Sequence, residues 1–327
     1  MAELNQLKGD LSGLHILVAG DIMIDRYEMG TAQRLSPEAP VPVVLWRETI
    51  DKPGGASNVA ANLKSMGCRV SLMGLCGMDA DGQRIHQLLT DSGCEGIYLL
   101  QDSKRPTTVK TRIVANGHQI TRMDIEKETP LSLDLQQSGL DQLSAIFTAD
   151  RPDVLVLQDY NKGFFTTAWI SQIMDMALKH GVRVAVDPKK DNFFSFQHAE
   201  LFKPNLKEAQ NQFPGNYTGI KDLEGLSAYL KERLNCKTLM ITLASEGLWI
   251  DGENLKRIFP TKARRVADVS GAGDTVISLA AICMAKSFTQ EFMAICCNEA
   301  GGQVCEKPGV VPVDKTLLIN QLEDIIC

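Results

Sequence analysis

The chain has 327 residues, 44% hydrophobic and 23% charged, with a formal net charge of −6 at pH 7. That length can bury a sizeable core in one large α/β domain or two ordinary ones, and the composition is that of a soluble globular chain. The negative balance argues against a nucleic-acid surface, so basic groups such as residues 262–265 (KARR) read as solvated faces.

In chain order, residues 14–21 (LHILVAGD) are a short apolar run ending in Gly-Asp, the pattern of a buried parallel strand. Residues 29–48 (MGTAQRLSPEAPVPVVLWRE) are proline-rich and end in a β-like run. Residues 54–67 read as a small-residue helix closed by glycine, with the strand RVSLMG after it. Residues 107–124 are two β-type arms joined by Asn116-Gly117, the strongest short-range hairpin signal. Strands at 153–159, 182–189 and 237–243 alternate with helical patterns at about 166–180 and 221–234. Such alternation predicts a mostly parallel sheet covered by helices on both faces. The two irregular stretches either form a small second sheet that shields a site from water or are ordinary surface structure.

No basic segment leads into an apolar core at the start, and the longest apolar run, 276–285, is too short for a bilayer. The nine cysteines show no Cys-x-x-Cys pair, and the five histidines no His-Glu-x-x-His. The expectation is a cytoplasmic chain with no membrane partner, disulfide framework or transition-metal site.

The stretch DVSGAGDT (268–275) runs straight into the apolar VISLAAICMA. A helix start has free N–H groups and partial positive charge, so the turn reads as an anion cradle with Asp274 at its lip. Gly271 and Gly273 leave room for a group to approach those N–H groups. The plainer alternative makes Asp274 a first-turn acid and the glycines only a bend. Polar residues also stand where strands end: Asp21 and Asp25, Asp159, Asp187, and Asn205 with Glu208. In an open α/β sheet the ligand crevice lies outside the carboxyl ends of the strands. Singly, each has a structural reading: Asp25 as a turn cap, Asp187 as a turn acid, Glu208 as a helix first-turn residue. There is no Gly-x-x-x-x-Gly-Lys-Ser/Thr and no strand followed by Gly-x-Gly-x-x-Gly, so phosphate binding would fall to the Gly271–Gly273 turn.

GGASNVAANL, KPNLKE and DVSGAGDT, in that order, resemble the ribokinase-like (PfkB) sugar kinases. GDIMIDRY, RLSPEAPVPVV, KPGGASNVAANL, PTTVKTR, DYNKG and DPK extend the resemblance to one branch, the kinase domain of bacterial D-glycero-β-D-manno-heptose-7-phosphate kinases. It covers roughly residues 14–312. It implies one ribokinase-like domain over 1–327: a doubly wound, mostly parallel α/β sheet with a small β-sheet lid from segments about 26–48 and 107–124.

The resemblance also implies roles. Asp274 would be the general base toward the sugar hydroxyl, and the N–H groups of Gly271, Ala272 and Gly273 would hold the phosphoryl group transferred from ATP. Asp25, Gly54, Gly55, Asn58, Asp159 and Lys162 match sugar-contacting positions. Lys189, Asn205 and Glu208 match positions around the triphosphate and its Mg²⁺, with Glu208 acting through water. Thr242, Gly247 and Asn298 match nucleotide-contacting positions. Lys110, Arg112 and Arg122 are available to a second phosphate on the substrate, or are solvated strand charges. Asp268 would neighbour a monovalent cation, although EKPGVVPV lacks the Gly-Thr often found there, and the turn reads Asp-Val-Ser where Asp-Val-Thr is commoner.

With no His-x-Gly-His and an end at Cys327, only the kinase step is implied, not the nucleotidyl transfer that often follows in such proteins. The expected activity is ATP-dependent phosphorylation of heptose 7-phosphate to the 1,7-bisphosphate. The alternatives are a related sugar or nucleoside kinase, or a catalytically silent sugar-binding regulator on the same scaffold. The apolar VPVVLW (41–46) suggests a homodimer through the lid, or packing of that run on its own main domain.

Overall fold

The computed structural model describes residues 1–327 except Asn216, Thr218, Ala263 and Cys327. Ala263 of the basic run and Cys327, the last of the nine cysteines, therefore lie outside the described residues. The strands are β1 His15–Gly20, β2 Ile22–Leu35, β3 Pro42–Gly55, β4 Arg69–Gly77, β5 Gly96–Asp102, β6 Val109–Ala115 and β7 His118–Ile125. They continue with β8 Val154–Gln158, β9 Arg183–Asp187, β10 Leu201–Phe202, β11 Thr238–Thr242, β12 Leu248–Asp251 and β13 Lys256–Phe259. The helices are α1 Ala2–Lys8, α2 Ala56–Ser65, α3 Ala80–Asp91, α4 Leu133–Ala149 and α5 Thr167–Lys179. They end with α6 Leu206–Gln212, α7 Leu223–Leu234, α8 Ala272–Ala285, α9 Gln290–Cys305 and α10 Lys315–Ile326.

The main sheet of nine strands, among the described residues, has the order β13-β12-β11-β10-β9-β8-β1-β4-β5. It is parallel from β11 to β5, with β12 and β13 added antiparallel at one edge. Alternate residues of β1 enter opposite cores: Ile16 and Val18 pack under α1, α2, α3, α8, α9 and α10, and Leu17 and Ala19 under α4, α5, α6 and α7. This two-sided burial is why the strand reads as a continuous apolar run. The chain leaves β1 toward β4 on one side and returns at β8 on the other. The sheet's topological switch point thus lies between β1 and β8, where a crevice opens at the carboxyl ends.

The second sheet has the order β3-β2-β6-β7. Its hairpin turn carries positive φ at both central residues, 53° at Asn116 and 81° at Gly117, as the Asn-Gly signal requires. The strands reach further than the irregular stretches in the sequence suggest. β2 starts one residue after β1 ends, and β3 runs to Gly55, so Gly54 and Gly55 close a strand instead of opening a helix. Asp21 and Gly55 are the root of this sheet: Ala56 N–H donates to the Asp21 carbonyl at 3.0 Å. Gly55 has φ +58°, and a Cβ there would stand 2.5 Å from that same carbonyl oxygen.

Gly55→Ala should therefore lose about 1–3 kcal/mol of stability, from strain and overlap together. The check is urea unfolding, where the midpoint should fall with little change in slope. An unchanged midpoint would show that the junction tolerates a side chain.

Candidate active site

Helix α8 begins at Gly271, in the left-handed region with φ +82°, and is buried from Asp274 to Met284. Glycine is needed at 271, where the start is crowded and φ is positive, while a side chain at 273 would meet only ordinary contacts. A Cβ on Gly271 would lie 2.7 Å from Asn58 Nδ2, and one on Gly273 would lie 3.7 Å from Lys203 Nζ and 3.9 Å from Asp187 Oδ2. The helix start therefore sits over the strand ends of β9 and β10, beside α2.

Asp274 is 3% exposed, and both its oxygens are engaged. Asn58 Nδ2 donates to Oδ2 at 2.8 Å, while Tyr160 Oη and Gln158 Nε2 donate to Oδ1 at 2.7 and 3.2 Å. Burial raises the Asp274 pKa to about 7, against the lowering pull of Asn58 and Tyr160; Asp187 raises it further and Lys203 opposes. A carboxylate offers about four accepting sites, two on each oxygen. The described donors fill both on Oδ1 and leave one on Oδ2. Asp274 is thus a carboxyl group poised near neutrality with room for one further donor, the requirements of a general base.

Around it runs a chain of polar contacts. Gln158 Nε2 also donates to Asp187 Oδ2 at 3.0 Å, and that oxygen pairs with Lys203 Nζ at 3.0 Å. Lys189 pairs with Glu208 Oε1, and its ammonium lies 5.2 Å from the centre of the Tyr160 ring. Burial works against the Lys189 charge, but Asp187 and Glu208 outweigh it and hold its pKa above the ordinary value. Asn205 and Glu208 form a reciprocal cap on α6, each accepting the other's backbone N–H at 2.8 Å.

On the small sheet, Asp25 is buried and paired with Arg112. A Cβ on Gly54 would fall 2.2 Å from Asp25 Oδ2, so only glycine leaves that carboxylate its place. Register sets Lys52, Asp25, Lys110 and Asp124 in one row across the strands, with Ile50, Tyr27, Arg112 and Arg122 in the next on the same face. Lys110 lies 3.5 Å from both Asp124 and Glu126; Lys162 holds Glu126 and Glu128 at 2.9 Å each. Arg122 is half-exposed and pairs with Asp124 on its own strand.

Other residues singled out in the sequence have contacts that account for them structurally. Asp21 accepts the backbone N–H groups of Tyr160, Lys162 and Phe164 at 2.8–3.1 Å, and so shapes the loop that delivers Tyr160. Asp159 accepts from Asn161 N and Asn192 Nδ2; burial, then the neighbouring Asp21, pushes its pKa up. Thr242 bridges to Asn205, and Gly247 (φ +99°) turns the chain between β11 and β12. Asn298 Nδ2 donates to the Phe259 carbonyl at 2.8 Å. Asp268 accepts Ser270 N–H at 2.9 Å and Gly309 N–H at 3.1 Å.

Sequence reasoning assigned no role to Tyr160, Gln158, Lys203, Tyr27 or Lys52. Two of them left a signal. Gln158 is an amide ending the otherwise apolar run VLVLQ, and Lys203 is a cation directly after the buried strand β10. Tyr160 lies in the quoted DYNKG, but nothing local shows a phenol reaching a helix that starts more than a hundred residues later.

A family model described as "pfkB family carbohydrate kinase" matches residues 14–316. Proteins named "Bifunctional protein HldE" are similar along most of the chain. That of Methylobacillus flagellatus is 35% identical over 308 residues, covering 94% of this chain and 63% of that protein. That of Shewanella piezotolerans is 38% identical over 312 residues, with the same two coverages. The chain thus spans less than two thirds of the length of these relatives. Among solved structures, Escherichia coli phosphofructokinase-2 in complex with substrates and products superposes with TM-score 0.80 at 17% identity, over 95% of this chain and 99% of that one. Arabidopsis thaliana ribokinase complexed with ribose and ATP gives TM-score 0.71 at 18% identity, over 94% and 98%. At such identity these two speak for the fold.

The geometry around Asp274 generates a pH prediction. If its ionised form is required, kcat/KM falls as pH drops below about 7. Tyr160 donates to the charged form, so Tyr160→Phe should move that acid limb upward by about half a unit to one unit. An acid limb that stays in place in the variant would remove Tyr160 from this role.

Proposed function

The chain belongs to the pfkB family of carbohydrate kinases, and we propose that its acceptor is D-glycero-β-D-manno-heptose 7-phosphate, phosphorylated at the anomeric hydroxyl to the 1,7-bisphosphate. As a member of that family it is an ATP-dependent sugar kinase. The heptose assignment is supported by the motif resemblance and by the likeness to the proteins named HldE. The observation that carries the chemistry is Asp274, a buried carboxyl group with one accepting site left on Oδ2, in the first turn of a helix that opens with glycine.

In this reading the sugar hydroxyl donates its proton to Asp274 Oδ2 as its oxygen attacks the γ-phosphorus of ATP. The bond from that phosphorus to the β–γ bridging oxygen breaks to release ADP. The N–H groups of Gly271, Ala272 and Gly273 receive the phosphoryl oxygens, where helix polarity and hydrogen bonding act together. Lys189 supplies a cation on the triphosphate side. Asp25, with Gly54 and Gly55 beside it, faces the sugar hydroxyls, joined by Asp159 and Lys162. Lys110 and Arg122 take the 7-phosphate, since the long contacts from Lys110 to its carboxylates leave it available to a stronger anion. Asn58 was carried over as a sugar contact. One N–H of its amide donates to Asp274 and its oxygens accept from Asn62, so it orients the base and has a second N–H for the sugar. Thr242, Gly247 and Asn298 border the nucleotide.

The residues proposed for Mg²⁺ fit a hydrated ion only. Glu208 Oε2 caps Asn205 N and Oε1 pairs with Lys189, so Asn205 and Glu208 would hold the metal through its waters. When bound, Mg²⁺ offsets triphosphate charge.

The small sheet is proposed as a lid that a second copy covers. Its strand β3 leaves Leu45 56% and Trp46 64% exposed, and Met123 of β7 is 55% exposed. Apolar side chains on the strands of an otherwise bare sheet favour an isologous partner.

Asp274→Asn should keep ATP and sugar binding while lowering kcat by ~10²–10⁴-fold or more. ADP release measured over a panel of sugars, nucleosides and sugar 7-phosphates tests the acceptor. Fastest turnover on another acceptor would replace the heptose assignment, and turnover on none would leave a silent binder. For the lid, Trp46→Glu should halve the mass seen by light scattering and weaken sugar affinity. Wild-type protein that is already monomeric at micromolar concentration would end the dimer proposal.

A further inference from the structure

The small sheet reaches the anion cradle through one residue, Val310. Tyr27 Oη of β2 accepts the Val310 N–H at 2.9 Å, and Lys52 Nζ of β3 donates to the Val310 carbonyl at 2.7 Å. Both backbone polar groups of Val310 are thus held by side chains of the sheet that carries Asp25. The preceding N–H, that of Gly309, goes to Asp268 Oδ2 at 3.1 Å, and Asp268 Oδ1 receives Ser270 N–H at 2.9 Å. Ser270 is the residue before Gly271, where α8 begins. Gly309 itself has φ +70°, and a Cβ there would stand 3.1 Å from Tyr27 Oη.

The resemblance implies a monovalent cation beside Asp268, and an ammonium of the chain already takes an oxygen of that region. Each Asp268 oxygen accepts one backbone N–H, which fixes the carboxylate against the 268–270 and 309 backbone. The Cys305 carbonyl accepts both Ala267 and Asp268 N–H, so both its accepting sites are used. The Val310 carbonyl, one residue beyond the Gly309 that Asp268 holds, is turned to an ammonium belonging to the chain. A hydrated ion would have to displace Lys52 from a place where it is covalently tethered and lies 5.6 Å from the centre of the Tyr27 ring.

We infer that Lys52 is a positioning residue that takes the part of that cation, ordering the 268–271 segment through Val310 and Gly309 and making the enzyme independent of K⁺ and Na⁺. The inference rests on the kinase reading for its rate measurements but not for its binding measurement. An ion that binds only the folded state raises the unfolding midpoint with its concentration. The wild-type midpoint should therefore be the same in KCl and in tetramethylammonium chloride of equal ionic strength, and a K⁺-specific rise overturns the inference whatever the substrate is. Initial rates in the two salts should agree within about twofold, where activation by K⁺ of about fivefold or more overturns it. Lys52→Met should lower kcat at least about tenfold with the sugar KM little changed, and Lys52→Arg, which keeps a cation, should restore most of it. A Met variant with normal kcat overturns the inference, as does one that only raises the sugar KM, which would put Lys52 on the substrate. If wild-type protein transfers no phosphoryl group in either salt, the kinase reading fails and the melting comparison still decides the cation question.

Discussion

Keeping a carboxyl group inside the protein at the mouth of a helix is the constraint on which this structure turns. An ionised carboxylate without partners is costly to bury, and two regions of the chain far from it in sequence meet that demand at Asp274. Helix α2 supplies Asn58, strand β8 supplies Gln158, and the loop beyond β8 supplies Tyr160. Burial and these donors pull in opposite directions, and the balance leaves the group near neutrality. A fully paired carboxylate would be too weak a base, and an unpaired one would stay protonated.

The surroundings follow from that placement. Tyr160 reaches Asp274 because Asp21 gathers three backbone N–H groups of the 160–164 loop into a fixed turn. Asp21 also stands where the chain leaves the main sheet for the small one, and its carbonyl receives Ala56 N–H at the point of return. One residue at the topological switch point thus ties together the base, the loop that orients it and the root of the small sheet. Val310 makes the second tie, through Tyr27 and Lys52. The small sheet is therefore anchored to the rest of the chain at two places.

Much of this was legible in the amino-acid order. The apolar runs at 14–21, 153–159, 182–189 and 237–243 became β1, β8, β9 and β11, because a strand buried on both faces has no polar alternation to hide it. Asn116-Gly117 became the turn between β6 and β7 for the same local reason: few other pairs tolerate positive φ twice. The glycine turn with Asp274 in the first turn of a helix was visible too. Strand extents were less legible. Residues 22–28 and 49–55 lie in long strands whose pairing partners, not their own composition, extend them. Glu208 could be read as a helix-capping acid or a site residue, and it caps α6 while pairing with Lys189.

What the sequence by itself determined is the set of local states: which segments bury both faces, where the chain must turn, and which residues could form an anion cradle. These depend on side-chain periodicity and backbone sterics within a few residues, so they survive without knowledge of the fold. Only the tertiary structure decided which polar groups share a proton or a charge. Gln158, Tyr160 and Asn58 converge on Asp274 across sequence separations of 116, 114 and 216 residues. Lys52 and Val310 meet across 258. No local preference encodes such a meeting. It arises because a parallel sheet delivers strand ends from distant parts of the chain to one edge, and burial then forces the polar groups found there to satisfy one another.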